Sequence, residues 1–197
     1  MRIPAWVLAG WVAMSAGLAG VGIVSAYTGG PLRVVIEGYE PREAKVFYRV
    51  FHDDESGSPP DVHFFDLRGP QPSKAMRAPS LEDSCDYCSG TATTRAWRAL
   101  VRRLVPLEVD SRPEVTFRAT ASPAEGTGPN GEPRYFVTVE IDSKDHRGHE
   151  TVEAWCRPLV GVRGVYRIPG RTELLVVLSR IGRAYGCEEV ELPVLLP

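Results

Sequence analysis

From Pro31 onward apolar and polar positions mostly alternate one for one, which marks strands rather than helices. Glu114 to Ala121 sets Val115, Phe117, Ala119 and Ala121 on one side and Glu114, Thr116, Arg118 and Thr120 on the other. A two-residue period buries one face of a strand and leaves the other in water. Tyr135, Val137, Val139 and Ile141 repeat the pattern against Arg134, Thr138 and Glu140. Ser122 to Pro133, rich in Gly and Pro, is expected to separate these two strands as a long hairpin loop. Leu32 to Ile36, Ala44 to Phe51 and Asp61 to Leu67 read as earlier strands, with Gly38 to Arg42 as a turn-rich link and His52 to Pro60 as a polar loop. Thr151 to Cys156 is a further strand, with Val152, Ala154 and Cys156 on one face.

The last third of the chain is the most hydrophobic. Pro169-Gly170-Arg171 predicts a turn between Val165–Ile168 and Glu173–Ser179, because proline presets its φ and glycine accepts a positive one. Leu174-Leu175-Val176-Val177-Leu178 is apolar on both faces, as a central strand covered on both sides should be. Val190, Leu192 and Val194 alternate with Glu189 and Glu191, and Pro193 places that strand at an edge. One segment breaks the two-residue rule. Trp97, Leu100, Val101 and Leu104 share a helical stripe opposite Arg95, Arg98, Arg102 and Arg103, predicting one amphipathic helix over residues 92–105 that Pro106 ends. It follows a polar stretch, residues 68–90, expected to be a loop. The expected fold is mainly β, α+β at the margin, with antiparallel sheets forming a sandwich or a barrel-like meander beside one helix. Residues 33–67 and 162–195 share the order strand, turn, strand, loop, strand, which suggests two meanders either stacked face to face or closed into one barrel-like sheet.

Gly38-Tyr39, Lys45-Val46-Phe47-Tyr48, Asp53 to Gly57 and Val62-His63-Phe64-Phe65-Asp66-Leu67 together resemble the opening of an uncharacterised family of predicted secreted bacterial proteins. The same residues, 36–67, are also similar to single blades of periplasmic β-propellers. The resemblance covers about a sixth of the chain and lacks further blades; it implies an exported β-rich protein and no particular activity.

The N-terminus points the same way. Arg2 is the only charge before an uncharged run from Ala5 to Ala26, and Val24-Ser25-Ala26 supplies the small residues that signal cleavage needs. Residues 1–26 are therefore expected to be a signal peptide, the alternative being a retained N-terminal anchor, since the run is long enough to cross a bilayer. Residues 27–197 then form a single exported domain, in the periplasm or secreted. Apolar residues make up 43% of the chain, and 23 Lys and Arg face 25 Asp and Glu, a net charge of −2. Nucleic-acid binders carry a basic excess that is missing here. A membrane is a partner only if the N-terminal segment is retained; otherwise an envelope component or another protein is expected.

Four cysteines in an exported chain most often pair. Cys85–Cys88 and Cys156–Cys187 are the favoured disulfides, with cross-pairing open. The alternative for Cys85-x-x-Cys88 is redox chemistry at a helix start, which adjacent Asp83 and Asp86 oppose by disfavouring a thiolate. His146 and His149, flanked by Asp145 and Glu150, are candidate metal ligands for a metal-dependent hydrolase, although residues 142–150 read as a hairpin tip where the spacing fixes no geometry. Asp53-Asp54-Glu55-Ser56-Gly57 has the oxygen-rich composition calcium accepts but fails its spacing at Ser58 and Phe64. No nucleophile, phosphate-loop or dinucleotide motif is present, and no cofactor is implied. The expected function is therefore a non-catalytic binding or structural module of the cell envelope.

Overall fold

A computed structural model describes residues 32–52, 59–81, 95–110, 116–127, 131–143, 146–182 and 187–197, with backbone alone for 116–127, 142, 143, 146 and 147. It is an antiparallel β protein of stacked sheets. The N-terminal sheet has the order β1 (Leu32–Glu40), β2 (Lys45–His52), β3 (Asp61–Asp66), β4 (Ala75–Arg77). After it come a helical segment, α1 (Arg95–Val101), and a short strand, β5 (Glu108–Val109). The outer sheet is a three-stranded meander, β6 (Thr116–Thr127), β7 (Pro133–Ser143) and β8 (His146–Trp155). Between these two lies the central sheet, built from β9 (Val160–Arg167), β10 (Leu174–Ile181) and β11 (Glu189–Leu196) in the order β11-β10-β9-β5.

The layering follows from β10, whose alternate side chains enter different cores. Leu174, Val176 and Leu178 meet Val137, Val139, Ile141, Val152 and Ala154 of the outer sheet. Leu175, between them, joins Val46, Tyr48 and Phe65 of the N-terminal sheet, with Leu195 and Ile168. Leu175 and Val176 are both fully buried, so the strand is covered on both faces as its composition requires. The two meanders, β1–β3 and β9–β11, do pack face to face. The other side of the N-terminal sheet is closed by α1, where Trp97 and Leu100 cover Phe47, Val62 and Ala78.

Turn chemistry matches the sequence at Ile168–Arg171. The Arg171 N–H donates to the Ile168 carbonyl at 3.0 Å and Gly170 has φ 70°. That is a type II turn, with Pro169 and Gly170 where their backbones fit. β11, with Pro193, lies at the edge of its sheet.

Five expectations change. Gly38 lies inside β1 rather than in a turn, at a register shift with φ 145°. Its missing side chain lets β1 approach Val105, whose carbonyl would sit 2.8 Å from an added Cβ. Tyr39 and Val105 exchange two backbone hydrogen bonds of 2.8 Å there. This pairing also ends the helix at Val101 instead of 105, because Val105, held extended before Pro106, serves a strand; residues 92–94 lie outside the described residues. Val101 is consequently exposed, off the buried stripe. The expected loop after residue 121 is mostly strand: β6 continues through a register shift to Thr127, opposite Pro133. Part of the polar stretch 68–90 is ordered as well, with Ala75, Met76 and Arg77 paired to Phe65, Phe64 and His63. Finally, Cys156 and Cys187 stand just off the strands, with φ of 61° and 60°.

Candidate binding site at the disulfide end

Strand β8 ends at Trp155, and the Cys156 N–H makes one last ladder bond, donating to the Pro133 carbonyl at 2.8 Å. Cys156 then bonds to Cys187, with 6.0 Å between their Cα atoms. The bridge ties the end of the outer sheet to the entry of β11 in the central one. Of the four cysteines singled out from the sequence, this pair is as expected; Cys85 and Cys88 lie outside the described residues, as do residues 1–26 and the Asp53–Gly57 loop.

Beside the bridge, the register of β7 and β8 sets Arg134 opposite Trp155 and Phe136 opposite Glu153. All four occupy the outer face of the outer sheet, because paired positions share a face and Val137 and Val139 take the inner one. The Arg134 guanidinium lies 4.9 Å from the Phe136 ring centre and 5.8 Å from that of Trp155, within cation–π reach of both. Its Nε is 2.8 Å from Glu153 Oε1, an ion pair without hydrogen-bond alignment.

Arg180 arrives from the central sheet. It continues the inward phase of Leu174, Val176 and Leu178 on β10, and its guanidinium donates to the Glu153 carbonyl at the free edge of β8. Its Nε is shielded from water and has no hydrogen-bond partner among the described residues. Burial pulls the Arg180 pKa down, opposed by the Glu153 carboxylate. Arg134 thus pairs with the Glu153 carboxylate, while Arg180 holds the backbone carbonyl of the same residue. Farther along the face, the Thr138 and Thr151 hydroxyls are 3.1 Å apart, and exposed Glu140 and His149 are paired.

The two candidate ligands, His146 and His149, lie on one strand. Both belong to β8 rather than to a hairpin tip, His146 opposite Ser143 and His149 opposite Glu140. Three residues apart on a strand is opposite parity, so the spacing that gathers imidazoles on a helix separates positions here. Among the described residues no group of three or more His, Cys, Asp and Glu is placed to hold a metal ion. A second polar cluster, His52 Nε2 3.1 Å from Asp61 Oδ2 with Arg77 donating to Asp61 Oδ1 at 2.7 Å, joins β2, β3 and β4. It reads as a fastening of sheet edges, as does Val34 N–H donating to the Glu191 carboxylate at 2.7 Å between β1 and β11. His63 is packed, stacked on the Tyr48 ring at 5.4 Å.

Sequence reasoning passed over Arg134, Phe136, Glu153, Trp155 and Arg180. One signal was there: an arginine continuing the phase of three inward apolar residues on β10.

Fold and site define a disulfide-tied stack of antiparallel sheets with a cationic, aromatic cluster on one outer face. No protein-family model, curated protein or solved structure matches this chain. No helix among the described residues is long and apolar enough to cross a membrane.

Proposed function

We propose that this protein is an exported, non-catalytic binding module of the bacterial cell envelope or its surroundings. The observation that carries the reading is the Cys156–Cys187 bond, which joins two sheets and persists only in an oxidising compartment. The Arg2-led apolar N-terminal run supports the same location as a signal peptide. Binding rather than catalysis fits the cluster on the outer face. It offers guanidinium, ring and hydroxyl groups that can meet a polar ligand.

Fractionation of a bacterial host expressing the full chain, followed by thiol alkylation with and without reductant, tests this. The protein should appear outside the cytosol, shortened by the leader, with Cys156 and Cys187 alkylated only after reduction. Cytosolic protein with every thiol reactive would overturn the proposal. Selective opening of a Cys85–Cys88 bond by mild dithiol, with Cys156–Cys187 resistant, would favour the alternative of thiol-disulfide chemistry.

A further inference from the structure

We infer that the exposed face of α1 docks on an anionic lipid bilayer, with Arg95, Arg98 and Arg102 meeting the headgroup phosphates. This rests on the export reading above and adds a surface to it, since the sequence offers a membrane as partner only through a retained N-terminal segment.

Helical spacing sets these three arginines in one row, opposite Trp97, Leu100 and Leu104, which pack toward Phe47 and Val62. All three are exposed, and among the described residues none of them makes a hydrogen bond or an ion pair. Elsewhere the molecule neutralises its guanidinium groups. Arg49, Arg77, Arg134, Arg163, Arg167 and Arg171 each pair with a carboxylate. Arg103, next after the row, turns to Glu40 and Glu43. The row itself opposes the helix. Arg95 with Arg98, and Arg98 with Arg102, are like-charge neighbours three and four residues apart, and α1 has no acidic residue in its first turn to offset them. A feature that costs local stability, on a chain whose net charge is −2, marks a surface kept for an opposite charge.

The shape of the face selects lipid over protein or nucleic acid. The one ring of α1, Trp97, is turned inward at 4% exposure, and small Ala96 and Ala99 are the exposed residues between the arginines. A protein partner would want an aromatic anchor at the centre, and a nucleic acid a broad basic excess. Lipid phosphates are laterally mobile and adjust to a row about 10 Å long, each accepting the planar fork of a guanidinium. Val101, exposed beside the row, adds apolar surface for the headgroup layer. Connectivity brings this face to a bilayer. Only residues 27–31 separate the apolar run ending at Ala26 from Leu32 at the start of β1, a reach of about 20 Å at full extension. α1 covers the side of that sheet facing away from the central one.

The test is sedimentation of the exported, disulfide-bonded protein with two kinds of vesicle, phosphatidylcholine alone and phosphatidylcholine with phosphatidylglycerol in equal parts. Partitioning onto the anionic vesicles should exceed that onto the neutral ones about tenfold or more, and high salt should remove the difference. Comparing the two compositions cancels any contribution of a retained apolar segment. Arg98→Gln should lower the anionic preference about fivefold, and Arg95→Gln, Arg98→Gln and Arg102→Gln combined should abolish it. Arg98→Lys should keep most of it, and Arg163→Gln, on β9, should keep all of it. The urea midpoint of the triple variant should equal or exceed that of the parent, because like charges have been removed. A lower midpoint would show the row to be compensated within the molecule and would overturn the inference. So would equal partitioning onto both vesicles, indifference to the triple substitution, or tighter binding of polyglutamate or duplex DNA. If the protein is nonetheless exported and oxidised, the location reading survives and only the docking surface fails.

Discussion

Single residues with unusual backbones set the sharpest local constraints. At Gly170 the space around a Cβ is empty and the constraint is φ alone, so Gly170→Ala should cost about 1 kcal/mol, read from urea unfolding. Gly38→Ala should cost more, because an added Cβ would meet the Val105 carbonyl at 2.8 Å and part Tyr39 from its two hydrogen bonds. Glu150 gives a pH signature. Burial raises its carboxyl above the ordinary value, with His149 pulling the other way. The folded state thus holds this proton more tightly than the unfolded chain. Its contribution is full below the unfolded value of 4.5 and is lost as pH rises through the folded one. Glu150→Gln should therefore raise the urea midpoint at about pH 7 and leave it nearly unchanged at about pH 4.

At the scale of elements, β10 is the strand on which two cores depend. Leu175→Ala should cost about 2–5 kcal/mol by opening the contact with the N-terminal sheet, and Val176→Ala somewhat less by opening that with the outer sheet. Denaturant titration measures both, and additivity in the double variant reports how independently the layers respond. Trp97→Ala, cutting the helix from Phe47 and Val62, should cost about 3–5 kcal/mol on the same measure. Strands with long alternating or doubly apolar runs were legible in sequence, as was the type II turn, since each repeats a simple periodic or φ rule. β4 and β5, at three and two residues, are too short to display any period. The far half of β6 hid behind Pro123 and Gly126, which local propensity assigns to a loop while pairing with β7 overrides it. The cluster around Arg134 and Trp155 was least legible. Arg134 and Trp155 meet only through register, and Arg180 reaches Glu153 only because two sheets stack.

For the whole molecule, the Cys156–Cys187 bond spans a sequence separation of 31. Cys156→Ser or Cys187→Ser should lower stability by about 3–4 kcal/mol on the chain-entropy model, less any relief of the positive φ at the two positions. Scanning calorimetry of either variant beside the parent measures it, and reductant should bring the parent to the same value.

The order of the layers along the chain has a further result. The N-terminal sheet and the outer sheet are both synthesised before β9, β10 and β11, yet each needs that later stretch to cover its greasy side. The helix can cover one face of the N-terminal sheet early, but the two cores flanking β10 stay open until that stretch is made.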